Sequence, residues 1–216
     1  MTSVDGVAPA EAAEAERARP RRWARIVGMV AVGALIAGLA AWQLAARATE
    51  VEPGAFSNSG AGATLPDCVP DESGIWSMFG TDEDVVVLQT VSNPSPWPVT
   101  VISTDPEAYR FEPMADDFRG DYTFVQDASD GPPSATETSD RVVIPPDREA
   151  AMWIINPQGD FSSDGGWYTF SGAPVKLRAL GVERDFYLPF RGTLTVGGTE
   201  ATAARLDRAL QEACED

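Results

Sequence analysis

Between Arg25 and Arg47 the chain runs through 21 consecutive residues, Ile26 to Ala46, without a charge, and Gln43 is their only strongly polar member. A helix rising about 1.5 Å per residue over that length crosses the roughly 30 Å hydrocarbon core of a bilayer. Trp23 and Trp42 fall near its two ends, at the headgroup level that indoles prefer. Arg17, Arg19, Arg21, Arg22 and Arg25 precede the run, whereas Arg47 is soon followed by Glu50 and Glu52. This charge asymmetry places residues 1–25 in the cytoplasm and everything after the span outside it. Arg21, Arg22, Trp23, Arg25, Trp42 and Arg47 are the expected membrane-interface residues. A competing reading is a cleaved signal peptide, because Ala46-Arg47-Ala48 has the small-x-small form of a processing site. The apolar run is longer than a signal peptide needs, and so is the region before it. A retained signal-anchor is therefore expected in the plasma membrane.

The span divides the remaining sequence. Residues 1–25 are rich in Ala, Glu and Arg with little to bury, and read as a disordered tail. Residues 47–67 read as a flexible linker, since TEVEPGAFSNSGAGATLPD is dominated by small and turn-forming residues. Residues 68–216 are the expected extracytoplasmic domain. The chain holds 33 acidic and 16 basic residues, and the first 50 positions contain 5 and 6 of them, which leaves residues 51–216 at a net charge of −18. So acidic a domain disfavours nucleic acid as a partner. The expected partners are the lipid bilayer, through residues 26–46, and another envelope protein.

Histidine is absent and cysteine occurs twice. No Ser-His-Asp or Cys-His arrangement can be assembled from this chain, and a structural zinc site is implausible. No catalytic residue and no cofactor is assigned. Cys68 and Cys214 flank the outer domain, and in an oxidising compartment they read as one disulfide joining its ends. Closing a loop of that length stabilises by about 4–5 kcal/mol in the chain-entropy model. TEATAARLDRALQEAC, residues 199–214, has the periodicity of a short amphipathic C-terminal helix.

Between the cysteines the pattern is of short strands with turn punctuation. Asp84-VVVLQTV-Ser92 is a nearly continuous apolar run, as in a central strand. Asn93-PSPW-Pro98 interrupts it, and Val99–Thr104 is expected as its hairpin partner. Tyr122–Gln126, Arg141–Pro145, Glu149–Ile155, Trp167–Phe170, Pro174–Leu180, Asp185–Phe190 and Gly192–Val196 follow. In Pro174–Leu180, Val175, Leu177 and Ala179 alternate with Lys176 and Arg178, which gives one buried and one wet face. Runs at this spacing argue for an antiparallel β-sandwich.

NPSPWPVTV, residues 93–101, resembles the B–C turn region of immunoglobulin-like ectodomains. Fifteen arginines against a single lysine, Lys176, suggest GC-rich coding sequence. Together these features resemble single-pass bacterial, and specifically actinobacterial, membrane proteins with an immunoglobulin-like sandwich ectodomain. The cysteines depart from that pattern, because they flank the domain instead of crossing its core.

The carboxylates cluster at 82–84, 116–117, 127 and 130, and 160 and 164. Asp160 and Asp164 are the candidates for a calcium loop, although no glutamate closes it. Trp97, between alternating prolines, and the neighbouring Trp167 and Tyr168 are candidate binding-surface residues. Trp153, inside an apolar strand, reads as core. The expected role is a non-enzymatic interaction or structural module of the cell envelope. A calcium- or glycan-binding module is the first alternative, and a hydrolase using an acid pair is the second.

Overall fold

The computed structural model describes residues 10–59, 63–64, 77–80, 85–114, 138–155, 167–197, 205 and 208. The chain forms two units, residues 1–45 and 46–216. The first is built on a single helix, α1, spanning Ala10–Ala48. Its stretch Trp23–Ala48 is long and apolar enough to cross a membrane. Val27, Val30, Leu35, Ile36 and Leu39 on it are all exposed, as side chains facing lipid would be. The helix starts well before the apolar run, so residues 10–25, expected in a disordered tail, are helical. Alanine, glutamate and arginine are good helix formers and favour extending a helix already nucleated by the span, against the about 3 kcal/mol that Pro20 costs in its interior.

The second unit is mainly β, a sandwich of two sheets. Its strands are β1 (Glu52–Ser59), β2 (Ala63–Thr64), β3 (Ser77–Gly80), β4 (Val86–Asn93), β5 (Val99–Ser103), β6 (Tyr109–Pro113), β7 (Arg141–Ile144), β8 (Arg148–Ile155), β9 (Trp167–Ala179) and β10 (Val182–Gly197). One sheet has the order β1-β4-β8-β6 and the other β2-β3-β10-β9-β5-β7. Among the described residues every strand pairing is antiparallel except β3 with β10.

Between the sheets lies one apolar core. Val87 and Val91 of β4, Met152 and Ile154 of β8 and Phe111 of β6 meet Val101 of β5, Val175 and Leu177 of β9, and Leu188 and Leu194 of β10. Period-two alternation supplies each set, and Lys176 and Arg178 point the other way, as their spacing requires. The strands β4 and β8 are buried on both faces. Their outward positions, Val86, Leu88, Ala151 and Trp153, make a second apolar cluster with Phe56, Met114 and Ile155. That is why both read as continuous apolar runs, and why Trp153, which donates its indole N–H to Glu112 at 3.3 Å, is fully buried.

Three strand expectations change. The stretch from Val99 is not the hairpin partner of β4. It crosses to the other sheet and pairs with β7 and β9. Asn93 makes the crossing definite. Fully buried, its Nδ2 donates to the carbonyls of Trp97 (2.9 Å), Ile144 (2.9 Å) and Pro145 (3.1 Å), while its Oδ1 accepts from Ser95 N (3.0 Å) and Ser95 Oγ (2.6 Å). Its own carbonyl accepts from Asp147 N, so the proline-rich crossover and the β7–β8 turn are tied at one residue.

The runs at 167–170 and 174–180 are one strand, β9, and those at 185–190 and 192–196 are also one, β10. They form a long hairpin whose two turn residues, Leu180 and Gly181, both have positive φ (51° and 81°), as a type I′ turn demands. The pairing register shifts between Pro189 and Leu194. Gln89 compensates from the other sheet. Fully buried, it accepts from Arg191 N at 2.9 Å and reaches the Pro189 carbonyl at 3.4 Å.

The expected linker, residues 47–67, is the third correction. Val51 belongs to the core and Glu52–Ser59 is a strand paired with β4. Small polar residues leave little trace of a strand, and here the pairing is supplied by the partner. The Tyr122–Gln126 strand lies outside the described residues, as does the C-terminal helix at 199–214 apart from Arg205 and Arg208.

Candidate functional site

Beside β1, the end strand of the first sheet among the described residues, lies a cleft of about 490 Å³ lined by Glu52, Pro53, Gly54, Ala55, Ser92, Glu149, Phe190 and Arg191. Strand register builds it. Glu52 stands opposite Ser92, and Ser92 opposite Glu149, so a serine separates two glutamates in one cross-strand row. The register of β1 shifts between Pro53 and Ser57, which releases backbone groups from the ladder. Side chains take them up. Ala55 N donates to Glu149 Oε1 at 3.2 Å, and Phe56 N donates to Thr90 Oγ1 at 3.1 Å, whose hydroxyl lies 3.3 Å from the Phe56 carbonyl. Arg191 donates through Nη1 to the Ala55 carbonyl.

Gly54 is required where β1 crosses this network, because a Cβ there would fall 2.1 Å from Thr90 Oγ1. Glu149 Oε2 is buried with no hydrogen-bond partner. The cleft's polar groups therefore hold the irregular edge in place, which also blunts it against pairing with another chain.

A second constellation sits at the start of the sandwich. Thr49 is buried, and its Oγ1 accepts the Trp97 indole N–H at 2.8 Å while its carbonyl accepts from Arg184 Nη2. The Arg184 guanidinium lies 5.0 Å from the centre of the Phe186 ring. Trp97 thus packs against the core as an internally bonded residue and is not an exposed tip. Two side chains distant in sequence from residue 49 make this arrangement, so nothing local in the sequence announces it.

Tyr168, on β9, is 45% exposed. Its neighbour Trp167 begins the same strand. Trp23 and Trp42 are exposed on α1, at 67% and 41%. Arg21, Arg22, Arg25 and Arg47 all lie on the same helix. Cys68, Cys214, Asp160 and Asp164 lie outside the described residues, and so do the other carboxylate clusters. Among the described residues no group of three acidic or cysteine side chains converges to hold a metal ion.

Among the described residues Tyr109, Asp140 and its partner Arg141, which that carboxylate pushes up, depart from their ordinary range. Burial pushes the Tyr109 phenol up to about 12, with Asp105 and Tyr187 adding to the shift. Its ring sits 6.5 Å from that of Phe190, deep between the sheets. On the surface, the hydrogen bond from Arg141 holds the Asp140 carboxyl below its usual value. That pair is exposed on both sides, so its contribution to stability is small.

No protein-family model matches the chain. No curated protein matches it either. Among solved structures it is similar to one described as the apo PmoF2 PCuAC domain, at 13% identity over 69% of this chain and 96% of that one, with a TM-score of 0.26. With a TM-score that low, the fold rests on the strand pairings described above.

Proposed function

We propose that this chain is a single-pass membrane protein that displays a non-enzymatic interaction or structural module outside the cytoplasm, as part of the cell envelope. The observation that carries this reading is the Trp23–Ala48 stretch of α1, long and apolar enough to span a bilayer and lined with exposed large apolar side chains. The five arginines close before its uncharged run, against Arg47 alone close after it, supply the direction. Tyr168, with Trp167 beside it, is the contact surface we assign to the module, because an exposed aromatic gives much contact area for little lost freedom.

Chemical crosslinking of the full chain in native membranes, followed by affinity recovery, tests the role. A partner recovered with the wild type and lost with Tyr168→Ala supports it. Reproducible recovery of the chain alone would count against it, and so would turnover of cell-wall fragments by the purified chain. The same reading carries a Cys68–Cys214 disulfide. Non-reducing peptide mapping should find the two peptides linked, and two freely alkylatable thiols would refute the bridge.

A further inference from the structure

Residues 46–51 contain a sequence of processing-site form, Ala46-Arg47-Ala48, and the fold closes over it. The helix continues to Ala48. Ala46, Thr49 and Val51 are buried, whereas Arg47 and Ala48 are exposed. Thr49 is gripped at two atoms, by the Trp97 indole N–H at its hydroxyl and by the Arg184 guanidinium at its carbonyl. The two gripping side chains are themselves fixed. Trp97 packs against the core, and Arg184 lies over Phe186, which packs there too. They come from different places, Trp97 from the crossover between sheets and Arg184 from β10.

A protease binds its substrate as an extended strand several residues long. To present the Ala48–Thr49 bond that this motif marks, or the Arg47–Ala48 bond before it, the chain must unwind the last turn of α1 and draw Thr49 and Val51 out of the sandwich. Cutting a folded chain at such a place follows the population of the locally opened form.

We propose that Trp97 and Arg184 form a clasp that guards a processing site at residues 46–51, so that release of the sandwich from its anchor waits on opening of the clasp. The inference goes beyond the proposed role, because it stands whether or not the sandwich binds a partner. It predicts that the folded protein keeps its anchor and that weakening the clasp sheds the domain. A charge-assisted hydrogen bond between partly buried groups is worth about 10- to 100-fold in such an opening equilibrium.

The test is limited trypsin digestion of the full chain in nanodiscs, with the Arg47–Ala48 cut followed by intact mass. Trp97→Phe keeps a packed ring and removes the N–H, and Arg184→Met keeps the apolar stem and removes the charge. Val143→Thr, on the exposed outer face of β7, is the control. The expected result is a slow cut at Arg47 in the wild type and the control. The cut should be about 10- to 100-fold faster in Arg184→Met and a smaller factor faster in Trp97→Phe, with cuts elsewhere in the sandwich unchanged.

Cleavage of the wild type at the rate of the denatured chain overturns the proposal, as does a cut at Arg47 that neither variant accelerates. Amide exchange of the wild type decides the matter if a variant unfolds as a whole. Residues 49–51 protected to the level of β10 support the clasp, and exchange at the rate of a frayed end overturns it.

Discussion

Asn93→Asp changes the donating end of a side chain that makes five hydrogen bonds, three through its nitrogen and two through its oxygen. The amide nitrogen donates to three carbonyls, at 2.9, 2.9 and 3.1 Å. The bond to Ile144 is fully buried, while those to Trp97 and Pro145 are partly so. Losing a partner for a buried carbonyl costs about 1–3 kcal/mol, and each partly wetted bond about 0.5–1.5 kcal/mol. Asn93→Ala, which removes both sides of the amide, is therefore expected to cost about 3 kcal/mol.

Asn93→Asp should cost more at neutral pH, because it aims a charged oxygen at three carbonyl oxygens. Protonation restores one O–H donor. The introduced carboxyl then has a folded-state pKa above its unfolded one. Its destabilisation should be least below the unfolded pKa and should grow as pH rises through the folded one. Denaturant unfolding of the full chain in detergent, followed by tryptophan fluorescence at several pH values, measures both variants. A loss under 1 kcal/mol for Asn93→Ala, or an Asn93→Asp penalty that does not change with pH, would refute the reasoning.

Three further predictions concern the sandwich. Gln89→Leu leaves Arg191 N and the Pro189 carbonyl without their cross-sheet partner, and should destabilise by about 2 kcal/mol in the same unfolding assay. Leu180→Asn, at φ 51°, relieves a left-handed backbone that leucine tolerates poorly, and should stabilise by about 0.5–1 kcal/mol. The Tyr109 phenol stays protonated up to about 12 in the folded chain and to about 10 when unfolded. Its contribution is complete below the unfolded value and is lost as pH rises through the folded one. Tyrosinate absorbance should show a lagging phenol that Tyr109→Phe removes, and the same change should flatten the alkaline loss of stability.

The strands easiest to read in the sequence were those whose burial is simple. Continuous apolar runs marked β4 and β8 because both faces of each are covered, and alternation at Val175–Ala179 marked a strand with one wet face. Pairing was harder. Val99–Ser103 follows β4 in the chain, but a buried asparagine and three prolines carry it to the opposite sheet. The gaps left at residues 171–173 and at Arg191 separate runs that belong to two long strands, and Gln89 takes up backbone groups at the bulge of the second.

The strand β1 left almost no signal. Its irregular backbone is held by Thr90, Glu149 and Arg191, each far away in sequence, so GAFSNS by itself looks like a tether. The cleft and the clasp on Thr49 were illegible for the same reason. Each is assembled by residues that only the fold brings together.

Thiol topology mapping asks on which side of the membrane the anchored sandwich sits. Intact cells are treated with reductant and then with a membrane-impermeant maleimide. Cys68 and Cys214 should be labelled without permeabilisation. Ser3→Cys, in a chain carrying Cys68→Ser and Cys214→Ser, should be labelled only after permeabilisation. Labelling of the tail cysteine in intact cells, with Cys68 and Cys214 protected, would contradict the account.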